Sequence, residues 1–143
     1  MPLDPRAKRF LDLLAAGNPP DARSATVEQR RSGLAALMKL AGSVEPIGAT
    51  EDRLLPGPGG ALPVRLYSPA NAPEMPAALV YFHGGGLVAG SLTTHDSIAR
   101  ALANCSDARV ISVEYRLAPE HPFPAALDDA GAAVRHILSL IHI

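Results

Sequence analysis

Three consecutive glycines follow a histidine in the stretch YFHGGGLVAGS, which runs from Tyr81 to Ser91. Residues without a Cβ let backbone N–H groups point outward and let a second molecule come close to the chain. Such N–H groups can stabilise negative charge, either on a phosphate or on an oxygen that becomes charged during a reaction. The glycine spacing matches neither G-x-x-x-x-G-K-[ST] nor G-x-G-x-x-G, so a charged reacting oxygen is the better candidate.

The titratable side chains near this stretch are interpreted as structural rather than catalytic. His83 stands alone beside an apolar run, where a histidine is more often a hydrogen-bonded structural residue than a base. Tyr115, Arg116 and Glu120 follow the next apolar run and could form an acid/base cluster. We expect instead that Arg116 forms ion pairs with Glu114, Glu120 or a helix carboxylate and binds loop carbonyls.

The remaining carboxylates and histidines of this region do not form a recognisable site. Asp128 and Asp129 are adjacent positions early in a predicted helix, where they point apart and interact favourably with the helix dipole. A proton-sharing pair is therefore not expected. His95 and His121 have no metal-ligand spacing with each other or with His83, so neither a metal nor another cofactor is predicted.

The glycine stretch lies between a predicted strand and a predicted helix. The run AALVYFH is continuous, apolar and rich in β-branched and aromatic residues, which is typical of a strand covered on both faces. A helix is predicted from about Thr94 to Asn104, with Thr93 or Thr94 as its N-cap and Cys105 facing the core. The run ARVISVEY is the next buried strand, and RLAPEHPFP is expected to be an extended loop.

The elements on either side complete an α/β pattern. Two amphipathic helices separated by GNPPDARS are predicted first, the second beginning near Ser24 or Thr26, and a hairpin of strands is predicted around PGPGG. Strand, helix, strand and helix then alternate, which predicts parallel pairing and places the glycines at the carboxyl edge of the sheet. The final helix is marked by apolar residues at helical spacing: Ala126, Leu127, Ala130, Val134 and Ile137.

Composition argues against several kinds of partner and site. The chain has 13 basic and 14 acidic residues without a basic stripe, so neither a nucleic acid nor an anionic membrane is an expected partner. Charged residues interrupt the N-terminal leucines as they would not in a secretory signal, and no stretch is long enough to span a bilayer. Cys105 is the single cysteine, which excludes an internal disulfide and fits a reducing, cytoplasmic location.

Three segments, taken in order, resemble the hormone-sensitive-lipase-like family of α/β-hydrolase carboxylesterases. They are His83–Gly86, the run GSLTTHD from Gly90 to Asp96, and the run VEYRLAPEHPFPAALDDA from Val113 to Ala130. The last run is far more specific than a glycine triplet. The resemblance implies hydrolysis of small carboxylic esters through an acyl-serine intermediate, without metal or cofactor.

The resemblance also implies roles for the four residues of the HGGG run, which is the oxyanion motif of lipases and esterases. The N–H groups of Gly85 and Gly86 would face the oxygen that becomes negatively charged in the tetrahedral intermediate. Gly84 would shape the turn, and His83 would brace it. The catalytic histidine of the family belongs much nearer the end of a full-length chain.

The nucleophile that this chemistry needs is missing from the sequence. The fold carries its serine in G-x-S-x-G, followed by an acid and a histidine, and no G-x-S-x-G occurs among the 143 residues. We therefore expect the N-terminal half of an α/β-hydrolase sheet, truncated before the nucleophile elbow and inactive by itself. Its predicted parts are cap-type helices in residues 1–45 and a partial hydrolase domain in residues 46–137.

Two further interpretations concern the whole chain and its end. The tail LSLIHI, residues 138–143, is one translation of CTG TCT CTT ATA CAC ATC, which resembles a transposon mosaic end used in sequencing adapters. This tail is therefore expected to be non-native. The alternative for the whole chain is a genuine short non-catalytic α/β protein that binds a small acyl or anionic ligand, or pairs with a partner chain.

Overall fold

The computed structural model describes residues 3–17, 21, 23–74 and 76–141. Within these ranges the chain forms four α-helices, a short 3₁₀ turn and one four-stranded sheet. In chain order the elements are α1 (Pro5–Ala16), α2 (Val27–Met38), the 3₁₀ turn (Lys39–Ala41), β1 (Ala49–Gly57), β2 (Gly60–Ser68), β3 (Ala78–Phe82), α3 (Asp96–Ser106), β4 (Arg109–Val113) and α4 (Ala125–Ile141).

The sheet has the order β1-β2-β4-β3 and is mixed. β1 and β2 form the predicted antiparallel hairpin, which closes with Gly57 opposite Gly60. β2 pairs antiparallel with β4, whereas β3 pairs parallel with β4 and ends with Phe82 opposite Val113. The predicted α/β architecture and the parallel pairing are therefore confirmed.

The two sides of the sheet carry separate hydrophobic clusters, because side chains alternate between faces along each strand. On one face α4 packs over a cluster formed by Leu55, Leu62, Val64, Ile111, Val113, Tyr115, Ala133 and Ile137. On the other face α3 packs over a smaller cluster formed by Tyr67, Ala99, Ala103 and Val110. The sheet is thus covered by α3 and α4 on opposite sides.

The expectation of full burial is right for β4 but wrong for β3. β4 is buried from Val110 to Val113, because it has a neighbouring strand on each side. The residues of β3 from Leu79 to Phe82 are only half-buried. The physical reason is position: β3 is the last strand of the sheet, and among the described residues no strand pairs with its outer edge.

The beginning of α3 differs from the prediction. The helix starts at Asp96, its N-cap is His95, and no side chain caps it. Thr94 instead closes a turn before the helix, where its hydroxyl accepts from the N–H of Ser91 (2.8 Å) and donates to the carbonyl of Ser91 (3.1 Å). The threonine hydroxyl is therefore occupied by a local turn and does not cap the helix.

The prediction that Cys105 faces the core is wrong, because its side chain is exposed. The residues that α3 buries are Ala99 and Ala103. These two lie four positions apart on one side of the helix, and Cys105 falls two positions further on, where the helix has turned away from the sheet.

The N-terminal helices have well-formed first turns but little burial. Asp4 caps α1 by accepting from the N–H of Arg6 (2.8 Å). Thr26 caps α2 in a reciprocal pair of hydrogen bonds with Gln29, which confirms one of the two predicted starts. Neither helix contains a buried residue. Part of the separating segment GNPPDARS, residues 18–20 and 22, lies outside the described residues.

The last predicted helix is confirmed as α4, which begins after an irregular segment over residues 114–124. Ala133 and Ile137 are buried, whereas Leu127 and Val134 are exposed. α4 continues past Leu138 to Ile141, and the last two residues of the chain lie outside the described part.

Candidate functional site

The glycine loop, defined here as residues 83–90, leaves the sheet where the parallel strands β3 and β4 end. Phe82 and Val113 are the last paired residues of these strands, and His83 follows directly. The loop therefore lies at the carboxyl edge of the sheet, as the sequence predicts. Open α/β folds place their ligand sites at this edge.

Two of the three consecutive glycines adopt backbone angles that other residues rarely take. The φ angles are 132° at Gly85 and 64° at Gly86. A Cβ on Gly85 would overlap the carbonyl of Ala89, whereas a Cβ on Gly86 would meet no atom within 4 Å. Gly85 is thus required by both space and conformation, and Gly86 by conformation alone.

The carbonyl of Gly85 closes the loop into a tight turn by accepting from the N–H groups of Val88 (3.3 Å) and Ala89 (3.1 Å). The N–H groups of Gly85 and Gly86 are free of such bonds, because no atom of the described residues accepts from them. Gly85 is half-buried and Gly86 is exposed. Both groups can therefore donate to the oxygen of a bound molecule.

His83 is enclosed at the base of the loop, with 3% of its surface exposed. Its ring stacks against those of Tyr115 (centroids 4.3 Å apart) and His95 (5.3 Å). Its carbonyl accepts from the hydroxyl of Tyr115 (2.6 Å), and its Nδ1 lies 3.1 Å from the carbonyl oxygen of Gly84. Its Nε2 is buried and has no hydrogen-bond partner among the described residues.

The rings that enclose His83 favour the neutral state. Burial, together with the neighbouring His83, lowers the pKa of His95. Burial, together with the carboxylate of Glu114, raises the pKa of Tyr115. Both shifts favour the uncharged form of these two side chains at neutral pH. Across the described part of the chain, no three His, Cys, Asp or Glu side chains are placed to hold a metal ion.

Of the three partners predicted for Arg116, the structure shows the helix carboxylate. This carboxylate belongs to Asp129, which is 2% exposed. The guanidinium donates to it through Nε (2.9 Å) and Nη2 (2.8 Å), and the Arg116 N–H adds a third bond (2.9 Å). Burial raises the pKa of Asp129, but these hydrogen bonds outweigh burial and hold the pKa below its ordinary value. Asp128 is exposed, so the two adjacent aspartates point apart as expected.

Glu120, one of the three alternative partners predicted for Arg116, binds Arg31 of α2 instead. The two side chains form a double hydrogen bond of 2.8 and 2.7 Å. The same guanidinium donates through Nε to the carbonyl of Val88 (2.8 Å) and through Nη2 to the carbonyl of Ala118 (3.2 Å). Sequence reasoning missed Arg31, because its partners lie at least 57 positions away and no local pattern identifies them.

The ion pair between Arg31 and Glu120 predicts that the stability of the folded chain depends on pH. Hydrogen bonds from Arg31 lower the pKa of Glu120 from 4.5 to about 2. Because the pKa is lowered in the folded chain, the stabilisation is complete above pH 4.5 and is lost as pH falls toward about 2. An NMR titration of the Glu120 carboxyl carbon should show this midpoint, and Arg31→Ala should raise it. The control Arg53→Ala, which removes the partner of Glu51, should leave it unchanged; a midpoint near 4.5 in the unsubstituted chain would refute the pairing.

An apolar cavity of about 620 Å³ opens beside the glycine loop. Its walls include Phe82, Gly86, Leu87, Phe123, Leu127 and Ala130. Three of these side chains, Leu87, Phe123 and Leu127, are more than half exposed. The cavity can accept an apolar group next to the free N–H of Gly86.

Among the helices that the structure describes, none has the length and hydropathy needed to cross a membrane.

Comparison with known proteins places these features in one family. A family model described as alpha/beta hydrolase fold matches residues 79–142. The arylesterase of Saccharolobus solfataricus is 37% identical over 134 residues, which are 94% of this chain and 44% of the relative. Esterase LipI of Mycobacterium tuberculosis is 48% identical over 96 residues, 66% of this chain and 30% of the relative.

Solved structures agree with the sequence relatives. A hyperthermophilic esterase from Pyrobaculum calidifontis superimposes with a TM-score of 0.84 at 43% identity, over 99% of this chain and 45% of its own. An arylesterase structure gives a TM-score of 0.87 at 34% identity, over 99% of this chain and 46% of its own. The chain thus spans less than half the length of these relatives. With its glycine loop, parallel strand pair and these matches, it belongs to the hormone-sensitive-lipase-like family of α/β-hydrolase carboxylesterases.

Proposed function

We propose that the chain is the N-terminal half of a serine carboxylesterase and that its glycine loop supplies the oxyanion hole. The observation that carries the proposal is the pair of unpartnered N–H groups, on Gly85 and Gly86, at the carboxyl edge of the parallel strands. The relatives that bear the names esterase and arylesterase support the reaction class. In this proposal Gly84 shapes the turn and His83 braces it from below.

The topology indicates where the nucleophile would enter. The connection from β3 through α3 to β4 and the connection that continues from β4 through α4 cover opposite faces of the sheet. Because parallel crossovers are right-handed, connections on opposite faces move in opposite directions across a sheet. The next parallel strand would therefore lie outside β3, along its open edge. A serine at the carboxyl end of that strand would stand beside the glycine loop.

The proposed reaction is acyl transfer to this serine. The serine oxygen attacks the ester carbonyl, whose oxygen takes up the negative charge of a tetrahedral intermediate. The N–H groups of Gly85 and Gly86 donate to that oxygen, the alcohol leaves, and water then releases the acid from the acyl-serine. The apolar cavity beside Gly86 suits the acyl or alcohol part of a small ester. The reaction requires no cofactor, and the single cysteine fits a cytoplasmic location.

The test compares the 143-residue chain with the same chain continued by its downstream coding sequence, here called the continued chain. We expect the downstream DNA to encode G-x-S-x-G and the continued chain to hydrolyse a short-chain nitrophenyl ester. The chain as given should show no turnover that a serine-directed phosphonate abolishes. Phosphonate-sensitive turnover by the chain as given, or a native stop codon after Ile143, would contradict the proposal. The same DNA shows whether the tail LSLIHI is native.

A second candidate is a non-catalytic protein that binds a small acyl or anionic ligand, or a partner chain, at the same loop. The observation in its favour is that the loop and its cavity are formed without the nucleophile. Cooperative, reversible unfolding of the 143-residue chain together with binding of a short fatty acid would favour this candidate. An aggregating or collapsed chain would favour the esterase half.

A further inference from the structure

The glycine loop is bound by Arg31 of α2, which precedes the loop by more than fifty positions. We propose that Arg31 is a positioning residue, which fixes the orientation of the glycine loop through the carbonyl of Val88. The relevance to catalysis rests on the proposed esterase function. The structural claim does not, because it concerns the loop itself.

Arg31 contacts the glycine loop at Val88. Its Nε donates to the carbonyl of Val88 (2.8 Å), and the N–H of Val88 in turn donates to the carbonyl of Gly85 (3.3 Å). Val88 is thus bound through both of its backbone polar groups: its N–H by the glycine turn and its carbonyl by the guanidinium. A change in its orientation moves the peptide groups of the turn with it.

A second connection makes the arrangement a closed ring. The N–H of Ala118 donates to the carbonyl of Leu87 (2.9 Å), and the carbonyl of Ala118 accepts from Arg31 Nη2 (3.2 Å). The carboxylate of Glu120 fixes the guanidinium with two further hydrogen bonds. Because the donors of a guanidinium are planar and fixed, one arginine can hold these three groups at once. A lysine could keep the ion pair with Glu120 but could not reproduce the whole set.

The position of Arg31 separates loop positioning from core stability. α2 contains no buried residue, and the Arg31 and Glu120 side chains are 36% and 54% exposed. The core clusters on both faces of the sheet do not include either side chain. Loss of the arginine should therefore loosen the loop while the sheet stays intact.

Amide hydrogen exchange of the continued chain, followed by NMR, tests the proposal without any substrate. The reporters are the hydrogen-bonded amides of Ala89 and Ala118, and the reference is the buried strand β4. A hydrogen bond to a charged group typically changes a local equilibrium by about tenfold or more, so Arg31→Ala should speed exchange of both reporters by about tenfold. Arg31→Lys should give an intermediate rate. Arg53→Ala, which breaks an exposed pair with Glu51, is the matched control and should change neither reporter.

Each outcome decides the proposal. Unchanged reporter exchange in Arg31→Ala would overturn it, and so would equal acceleration of the reporters and of β4 in both Arg31 variants, because that is a loss of global stability. If Arg31→Ala fails to fold, the exchange rates of the reporters in Arg31→Lys are used instead. In the continued chain, Arg31→Ala should lower kcat about tenfold with KM unchanged. A continued chain without esterase activity would refute the proposed function and leave the exchange result standing.

Discussion

Replacement of Gly85 by alanine is expected to lower the kcat of the continued chain by roughly two to three orders of magnitude, which is the typical cost of losing one oxyanion donor. The φ angle of Gly85 is 132°, and a Cβ there would overlap the carbonyl of Ala89. The turn must open to accommodate the methyl group, and its N–H then leaves its position. Steady-state kinetics with a short-chain ester measures the loss.

Two further alanine variants calibrate this result. A Cβ at Gly86 meets no neighbouring atom, so the turn need not open. The φ of 64° costs an L-residue about 1–2 kcal/mol. The kcat of Gly86→Ala should therefore fall less than that of Gly85→Ala. Gly33→Ala lies within α2, where no atom is within 4 Å of the added Cβ. It should leave kcat unchanged and stabilise the helix by about 0.5–1 kcal/mol. A Gly85→Ala variant with undiminished kcat would rule out the proposed role of this loop.

The second large effect is expected at Asp129, where alanine should lower the free energy of unfolding by about 3 kcal/mol. The carboxylate is buried and accepts hydrogen bonds from both the side chain and the N–H of Arg116. Removal of one member of a buried ion pair typically costs about 3–5 kcal/mol; the lower end applies here, because the remaining guanidinium is partly exposed to water. Urea denaturation of the continued chain gives the value.

The neighbouring Asp128 supplies the control for this measurement. Its side chain is exposed, and Asp128→Ala should change the free energy of unfolding by less than about 0.5 kcal/mol. Because the pKa of Asp129 is lowered in the folded chain, the difference between Asp129→Ala and the unsubstituted chain should shrink as pH falls below the ordinary pKa of an aspartate. Equal effects of the two substitutions at neutral pH would show that the ion pair with Arg116 contributes nothing.

The sequence predicted the features that depend on local patterns. The hairpin at Gly57 and Gly60, the parallel pairing of β3 with β4 and the cap at Thr26 all follow from turn residues, apolar runs and capping residues a few positions apart. The placement of the glycines at the carboxyl edge follows from strand and helix order. The position of the loop is therefore predictable from the order of these elements along the chain.

The features that the sequence did not predict depend on distant parts of the chain. The exposure of Cys105 depends on the rotation of α3 against the sheet, which buries Ala99 and Ala103. The half-burial of β3 depends on which strands lie beside it. The contact of Arg31 with Val88 joins residues 57 positions apart, and nothing in the α2 sequence distinguishes this arginine from its neighbours. Local propensity carries no information about such contacts.

The central claim, that the glycine loop is an oxyanion hole, is tested most directly by a crystal structure of the continued chain inhibited with a serine-directed phosphonate. The phosphonyl oxygen mimics the charged oxygen of the tetrahedral intermediate. We expect it to lie about 2.7–3.1 Å from the backbone nitrogens of both Gly85 and Gly86. An inhibited serine whose phosphonyl oxygen binds other donors, with the two glycine nitrogens left free, would contradict the account.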